Sequence, residues 1–506
     1  FHAAPAEAPT AIIIGGDSSM VEVPHRYIST YTGDLNKKPE LNLTDGIDFW
    51  ESLEGMLVKV VKPHVVGLDG GKKDIGVEKT YINLFLTAEG TRSEDQITPK
   101  GGQILNNVMG DYNPEIIPVL DHHFAPNVTP ELVYEVGDQF SYDLEGILAY
   151  NVNLFGDGQY VMYVTGEIDS LSEIKALEDR PKTTLVGEGS KLTAATFNVE
   201  NLAGGDDDRI EEVANGIAIN LLCPDIIALV EIQDFNGPSF EGSASARMTL
   251  EKLIAATNKK CEMPADYQFV NIDPFANAEG GEPGGNIRVA MIYNQLRVGF
   301  RYRGTANART PAALDESGRL QVNPARIAPL DPRFNGTRRS LVAEFEFLGE
   351  PLLVVGNHLN SKRSDTSLWS AQQPPVLKSE VKRSQLADAV NDFVELTLKQ
   401  HPGSQVLVMG DMNDFHESAP MKTLAGDELV NMAVTTAQFG NAVVEANEFY
   451  TYNYAGNSQP LDFIFSSKNL AAKPHILEVI HVNTDYMAQI ADHDPVVVQI
   501  DFGAQP

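Results

Sequence analysis

The chain has 506 residues, 42% of them hydrophobic, and a formal net charge of -32 from 38 basic and 70 acidic side chains. This length suits two to four domains with full cores, and no apolar run approaches the ~18 residues of a membrane span. The acidic balance speaks against charge-driven polyanion binding, which needs Lys and Arg, but it fits solubility and carboxylate cation sites. The start, FHAAPAEAPTAIIIGG, reads as a processed terminus, because AIIIGG is too short for a signal-peptide core.

The first ~185 residues alternate short apolar runs with Gly, Pro and Asp. GMLVKVVKP, TYINLFLTA, GILAYNVNLFG and QYVMYVTGEI are predicted strands, and LEDRPKTTLVGEGSK is a predicted linker. The pattern then changes. LTAATFNVENL and PDIIALVEI are strands that flank a helix in DDRIEEVANGIAINL, whose acidic first turn suits a helix N-terminus. SARMTLEKLIAATNKK is a second helix and SEVKRSQLADAVNDFVELTLKQ a long amphipathic one. IRVAMIYN, SLVAEFEFLG, PLLVVGNHLN, QVLVMGDMNDF, LDFIFSS and DPVVVQIDF are strands, several without a helix between them. The fold class is therefore α/β, with two mixed sheets packed face to face and helices outside rather than one parallel sheet.

Six of these strands end in, or start from, polar groups: Asn198, Glu231, His358 with Asn360, Asp411 with Asn413, Asp462, and Asp492 to Asp494 around His493. One such residue is usually a satisfied turn residue; six marked strands in one fold point to one pocket. Glu231, Asp492 and Asn198 offer hard oxygens suited to Mg²⁺, Mn²⁺ or Ca²⁺. His358 and His493 can exchange protons near neutral pH. Asp462 could fix an imidazole tautomer, and Asp411 could orient or deprotonate a water. With a nearby Arg, this is a kit for phosphoester hydrolysis.

TFNVENL, PDIIALVEIQD, VVGNHLNSK, VLVMGDMNDF, LDFIF and ADHDPV, in that order, resemble the endonuclease/exonuclease/phosphatase family. RSQLA and HVN bring the likeness nearest to its bacterial extracellular nucleases, over about residues 190–503. The resemblance implies a four-layer α/β sandwich at 190–506, with Asn198, Glu231 and Asp492 framing a divalent metal. It further implies Asp411 as the residue aligning the water, Asn360 and Asn413 as phosphate contacts, and His358, His493 and Asp462 as catalytic. Arg338 is the best match to the phosphate-clamping arginine, with Arg339 its rival. Ile287 stands where the family's deoxyribonuclease branch carries the Glu partner of the second histidine, leaving Asn286 or Glu282 as substitutes. Arg288 reads as structural. Asp494 reads as a turn cap, with a metal role as the lesser alternative.

LTDGIDFWESLEGMLVKV resembles the OB-like domain that precedes the nuclease domain in those enzymes, assigned to residues 1–185. Tyr81, Phe85, Tyr150, Phe155 and Tyr160 could be base platforms there, though core roles are the plainer view, and KPELNL and GGKKDIG supply little positive charge. The implied function is a secreted, monomeric, divalent-metal-dependent nuclease acting on DNA, with RNA as a further substrate, and with no protein partner. The metal is expected to be Mg²⁺ or Mn²⁺, with Ca²⁺ as a catalytic or structural alternative. A phosphomonoesterase or phospholipid phosphodiesterase on the same core is the rival enzyme, and a non-catalytic matrix or adhesion protein the other. Secretion makes Cys223 and Cys261 disulfide candidates.

Overall fold

The computed structural model describes residues 9–70, 82–120, 132–152, 158–166, 168–435 and 444–503. In the N-terminal part, the sheet order is Ile12–Ile14, Leu57–Val60, Leu144–Asn151, Gln159–Val164, Ile117–Leu120, Ile82–Thr87 and His64–Gly70. Three of these seven strands lie within the runs predicted as strands, and Leu144–Asn151 overlaps a fourth. Leu144–Asn151 begins with strict alternation, Leu144 and Leu148 entering the core while Glu145 faces solvent, whereas Ile117–Leu120 is buried throughout. The core closes over the short helix Gly46–Ser52, whose Trp50 is buried and donates Nε1–H to the Pro114 carbonyl at 2.8 Å. Phe85 and Tyr160 are buried, and the Tyr160 hydroxyl donates to Glu51 at 2.5 Å. These two rings are therefore core, not base platforms. Tyr81, Phe155 and all but the first residue of GGKKDIG lie outside the described residues.

The rest of the chain is α/β with two mixed sheets. One runs Tyr267–Val270, Arg288–Asn294, Ile226–Ile232, Lys191–Leu202, Val496–Asp501, His475–Val479. The other runs Gly299–Phe300, Leu341–Phe347, Glu350–His358, Gln405–Asp411, Asp462–Ser467, Leu429–Asn431, with Ala325–Arg326 paired to Leu341–Phe347. The central strands read as unbroken apolar runs because both faces are covered. Ala194, Ala228 and Met291 share an apolar layer with Val354, Leu407 and Ile464 of the other sheet. Ala195, Ile227 and Leu229 turn the other way, onto Ile210 and Val213 of the helix Asp207–Asn215 and Leu250 and Leu253 of the helix Arg247–Lys260. Val355 and Val408 likewise meet Leu386, Val390 and Val394 of the helix Lys378–Gln400. Gly356 permits the close approach of the sheets, since a Cβ there would sit 2.6 Å from Val289 Cγ1.

Each sheet contains one parallel pair at its heart: Lys191–Leu202 with Ile226–Ile232, and Glu350–His358 with Gln405–Asp411. Parallel pairing sends both carboxyl ends to the same edge, so Asn198 stands opposite Val230, and His358 opposite Asp411. The antiparallel strand Asp462–Ser467 starts at that edge, with Asp462 opposite Asp411. The predicted linker is laid onto the second part: Asn220 donates to the carbonyls of Leu177 and Pro181, and Leu185 is buried. Among the described residues, no helix is long and apolar enough to cross a membrane.

Cys223 and Cys261 form a disulfide across 38 residues, with Cα atoms 6.1 Å apart. It ties the turn after the first helical segment to the end of the helix Arg247–Lys260. Reduction is expected to add two hydrogens to the intact mass, and the paired change Cys223→Ser, Cys261→Ser to cost about 2–4 kcal/mol in denaturant unfolding.

Candidate active site

Asp411 is the hub of the polar edge. It follows Gly410, whose φ of +144° brings the strand against Asn357: a Cβ there would lie 2.1 Å from the Asn357 carbonyl oxygen. Three N–H groups point at the Asp411 carboxylate. Asn413 N donates to Oδ1 at 2.8 Å, Asn413 Nδ2 to Oδ2 at 2.9 Å, and Asn198 Nδ2 to Oδ2 at 3.2 Å. Asn413 sits at φ +54°, a left-handed conformation that asparagine tolerates better than most residues. Burial pushes the Asp411 carboxyl up to about 7, against the pull of His493.

The two histidines are pushed in opposite directions. Burial opposes charge on His493, but Asp462, Asp411 and Asp492 outweigh it and lift its pKa well above the ordinary range. Its Nδ1 lies 2.6 Å from Asp462 Oδ2 and its Nε2 4.0 Å from Asp411 Oδ2. His358 is driven well below its ordinary value by burial, and then by the charges of Arg338 and His493. Arg338 Nε donates to His358 Nδ1 at 3.2 Å, so the proton of the neutral ring sits on Nε2. That Nε2 lies 3.6 Å from both Glu231 Oε1 and Asp411 Oδ2. Environments that separate two like groups in this way are a mark of acid–base sites.

Glu231, next to last in its strand, sits at φ +65°, and its Oε2 accepts from Asn201 N at 3.1 Å. Burial and the nearby Asp492 raise its pKa, while His493, Arg338 and Asn198 act the other way. Asp492 Oδ1 is buried without a hydrogen-bond partner. Two carboxylates that repel each other, one with an orphan oxygen, fit a hard cation between them. Asn198 Oδ1 accepts from Glu200 N at 3.0 Å and keeps a second lone pair for such an ion. Asp411, Asp462 and His493 also bring ligand-type atoms within 4.8 Å of one another. We read that trio as a hydrogen-bonded acid–base unit, because His493 Nδ1 and Asp462 Oδ2 already engage each other at 2.6 Å.

Eight predicted residues thus meet through contacts of 4.0 Å or less: Asn198, Glu231, Arg338, His358, Asp411, Asn413, Asp462 and His493. Asp492 joins them through its charge on Glu231 and His493. Asn360 stands apart, donating to the Ser361 carbonyl at 3.0 Å while its own carbonyl accepts from Arg383. Asn413 departs from its expected phosphate role, since its amide donates to Asp411 and, at 3.2 Å, to the Leu359 carbonyl. It orients Asp411 instead. Neither substitute for the His358 partner fills that place: Asn286 donates to Asp234 and Gly284, and Glu282 makes no contact with the ring among the described hydrogen bonds. Arg338 takes it. Arg339 turns to the Thr337 carbonyl, and Arg288 is buried on Asp273, structural as read. Asp494 accepts from Asn483 N, Thr484 N and Oγ1, and lies 3.0 Å from His481 Nδ1, which makes it a cap rather than a metal ligand.

Sequence reasoning missed Thr451 and Asn483. Thr451 Oγ1 donates to Asp462 Oδ2 at 2.7 Å, and Asn483 Nδ2 donates to the His493 carbonyl at 2.6 Å. Asn483 lies in the quoted HVN; Thr451 carries no signal of its own. RSQLA also gains a physical reason. Arg383 is buried and donates Nε–H to Asp414 at 2.7 Å, pinning the loop that follows Asp411. Arg383→Ala would leave Asp414 in the interior with only Lys362, 3.5 Å from its Oδ1, as an ion-pair partner, and is expected to cost about 3 kcal/mol in an unfolding titration.

Residues 13–172 match a family model described as a domain of unknown function, DUF8508. A search of curated proteins returns no match. Among solved structures, the chain is similar to an endonuclease/exonuclease/phosphatase family protein from Leptotrichia buccalis, at 16% identity over 62% of this chain and 100% of that one, with a TM-score of 0.38. A protein of the same description from Bacteroides thetaiotaomicron gives 16%, 62%, 97% and 0.39. A D. rerio TDP2 complexed with a single-strand DNA product gives 16%, 62%, 99% and 0.36.

Proposed function

We propose that this chain is a secreted, divalent-metal-dependent nuclease of the endonuclease/exonuclease/phosphatase family that hydrolyses DNA phosphodiesters, and RNA as a further substrate. The carrying observation is the convergence of His358, Asp411, Asp462 and His493 through contacts of 4.0 Å or less, beside Glu231 and the partnerless buried oxygen of Asp492. Packing of both sheets on one apolar layer, with helices on their outer faces, supports the four-layer sandwich at 190–506. The β-rich composition of 1–185 supports an OB-like unit there. The disulfide supports an oxidising compartment.

In this reading Asp411, held by three N–H donors, aligns the attacking water and takes its proton. His493, charged and fixed by Asp462, donates to a phosphoryl oxygen as negative charge grows there. His358 presents Nε2–H to the same side, and Arg338 fixes the tautomer that allows it. A hard ion held by Glu231, Asp492 and Asn198, with Mg²⁺ or Mn²⁺ favoured over Ca²⁺, would polarise the phosphoryl group. Approach of the polyanion to so acidic a protein is local and should weaken steeply with salt.

The test uses purified protein with plasmid DNA, RNA, sphingomyelin and a chromogenic phosphomonoester, each with Mg²⁺, Mn²⁺, Ca²⁺ or EDTA. Plasmid cleavage abolished by EDTA is the expected result. Turnover of the monoester or the lipid alone would overturn the nuclease reading, and no turnover at all would favour a non-catalytic protein.

A further inference from the structure

The Asp462–His493 pair rests on a hairpin that the second part of the chain does not hold alone. Thr451 Oγ1, which donates to Asp462 Oδ2, also accepts from the backbone of Leu461 and Asp462 at 3.0 and 3.1 Å. Asp494 N donates to the Thr451 carbonyl at 2.7 Å, and the Tyr452 ring lies 4.7 Å from the His493 ring. Asp462 Oδ1 is buried without a partner, so the carboxylate is oriented through Oδ2 alone. From Thr451 the chain enters the hairpin Tyr452–Tyr454 and Asn457–Gln459, and it returns directly to Asp462. Two strands of three residues are not stable by themselves.

The support comes from the N-terminal part. Asn457–Gln459 pairs in parallel with Gln103–Ile104, and Leu105 N donates to the Ser458 carbonyl at 3.0 Å. Asn113 Nδ2 donates to Asn457 Oδ1 at 2.9 Å, and Asn453 Nδ2 to the Val66 carbonyl at 3.1 Å. At the hairpin tip, Ala455 packs on the buried cluster of Val66, Phe85 and Ile116. Gly67 and Gly456 touch: a Cβ on Gly67 would lie 2.5 Å from Gly456 Cα and from Asn453 Oδ1.

We infer that the N-terminal part, within the stretch matching a domain of unknown function, is a positioning part of the active site: its edge strand His64–Gly70 and its separate strand Gln103–Ile104 clamp the 452–459 hairpin and through Thr451 set the Asp462–His493 pair. This rests on the phosphodiesterase reading for its kinetic consequence but not for its structural one. Gly67→Ala drives a methyl into the hairpin, and Asn453→Ala deletes one clamp bond together with the Asn453–Ser458 bond inside the hairpin; neither residue belongs to the catalytic cluster. Gly146→Ala is the control, equally tight against Met162 Cγ at 2.5 Å but inside the N-terminal sheet.

In the full chain, assayed below each variant's melting midpoint, Gly67→Ala and Asn453→Ala are expected to lower kcat about 10- to 100-fold with KM little changed, since misplacement of about 1 Å can cost 10²-fold. Gly146→Ala lowers the midpoint with kcat kept. Hydrogen exchange of peptides spanning 450–463 should rise in the first two variants and not in the control. Wild-type kcat and unchanged exchange in the first two variants would overturn the inference. Were the wild-type chain inactive on every substrate, the phosphodiesterase reading would fall and the exchange result alone would decide the clamp.

Discussion

Replacing His493 by alanine is expected to lower phosphodiester turnover by about 10²–10⁴-fold, the usual contribution of a placed acid–base group, with the fold kept. Asp462, Asp411 and Asp492 all favour positive charge on this imidazole. Its ring is held through Nδ1, 2.6 Å from Asp462, and its backbone through the carbonyl, which accepts from Asn483. Asp411→Asn should lose a comparable factor for a different reason. An amide can take no proton from water, and its N–H₂ would face the N–H groups of Asn198 and Asn413 that now donate to the carboxylate. Steady-state kinetics with circular dichroism of both variants checks this. Full turnover in either would refute the role assigned to that residue.

The second large effect concerns the cation. Glu231 and Asp492 repel one another, and burial already disfavours charge on Glu231. A divalent ion that binds the folded chain alone stabilises it by mass action, about 2.7 kcal/mol at a hundred times its dissociation constant. Adding Mg²⁺ or Mn²⁺ to chelator-treated protein is therefore expected to raise its thermal midpoint. Glu231→Gln removes one ligand charge and one half of the repulsion. It is expected to raise the midpoint of the cation-free protein and to abolish most of the further rise with Mn²⁺, together with turnover. Thermal scans with and without the ion, at one pH, read both effects. A variant that still responds to Mn²⁺ as the wild type does would place the ion elsewhere.

The strands and their polar ends were legible because the chemistry needed for burial differs so sharply from that needed at the edge. VLVMGD and LLVVGNH are continuous apolar runs, as a strand covered on both faces must be, and each breaks into polar groups where the sheet ends. What sequence reading could not supply was direction within the cluster. Asn413 was expected to face phosphate, yet its left-handed backbone turns its amide back onto Asp411 and Leu359. The partner of His358 was sought beside Ile287, near in sequence pattern, but comes from Arg338 on the approach to a different strand. Thr451 left no mark at all: a lone hydroxyl gains meaning only once the 452–459 hairpin folds back and sets it on Asp462. Four N-terminal strands were legible as short apolar runs between turn residues, whereas the grip of that part on the hairpin depends on contacts between residues more than 300 positions apart.

The most direct measurement is anomalous diffraction from crystals of the wild-type protein grown with Mn²⁺. The account predicts one strong peak about 2–2.5 Å from carboxylate oxygens of both Glu231 and Asp492, with the His493–Asp462 hydrogen bond intact beside it. A peak seated between Asp462 and His493, or none in this cleft while the same preparation cleaves DNA in an EDTA-sensitive manner, would contradict it.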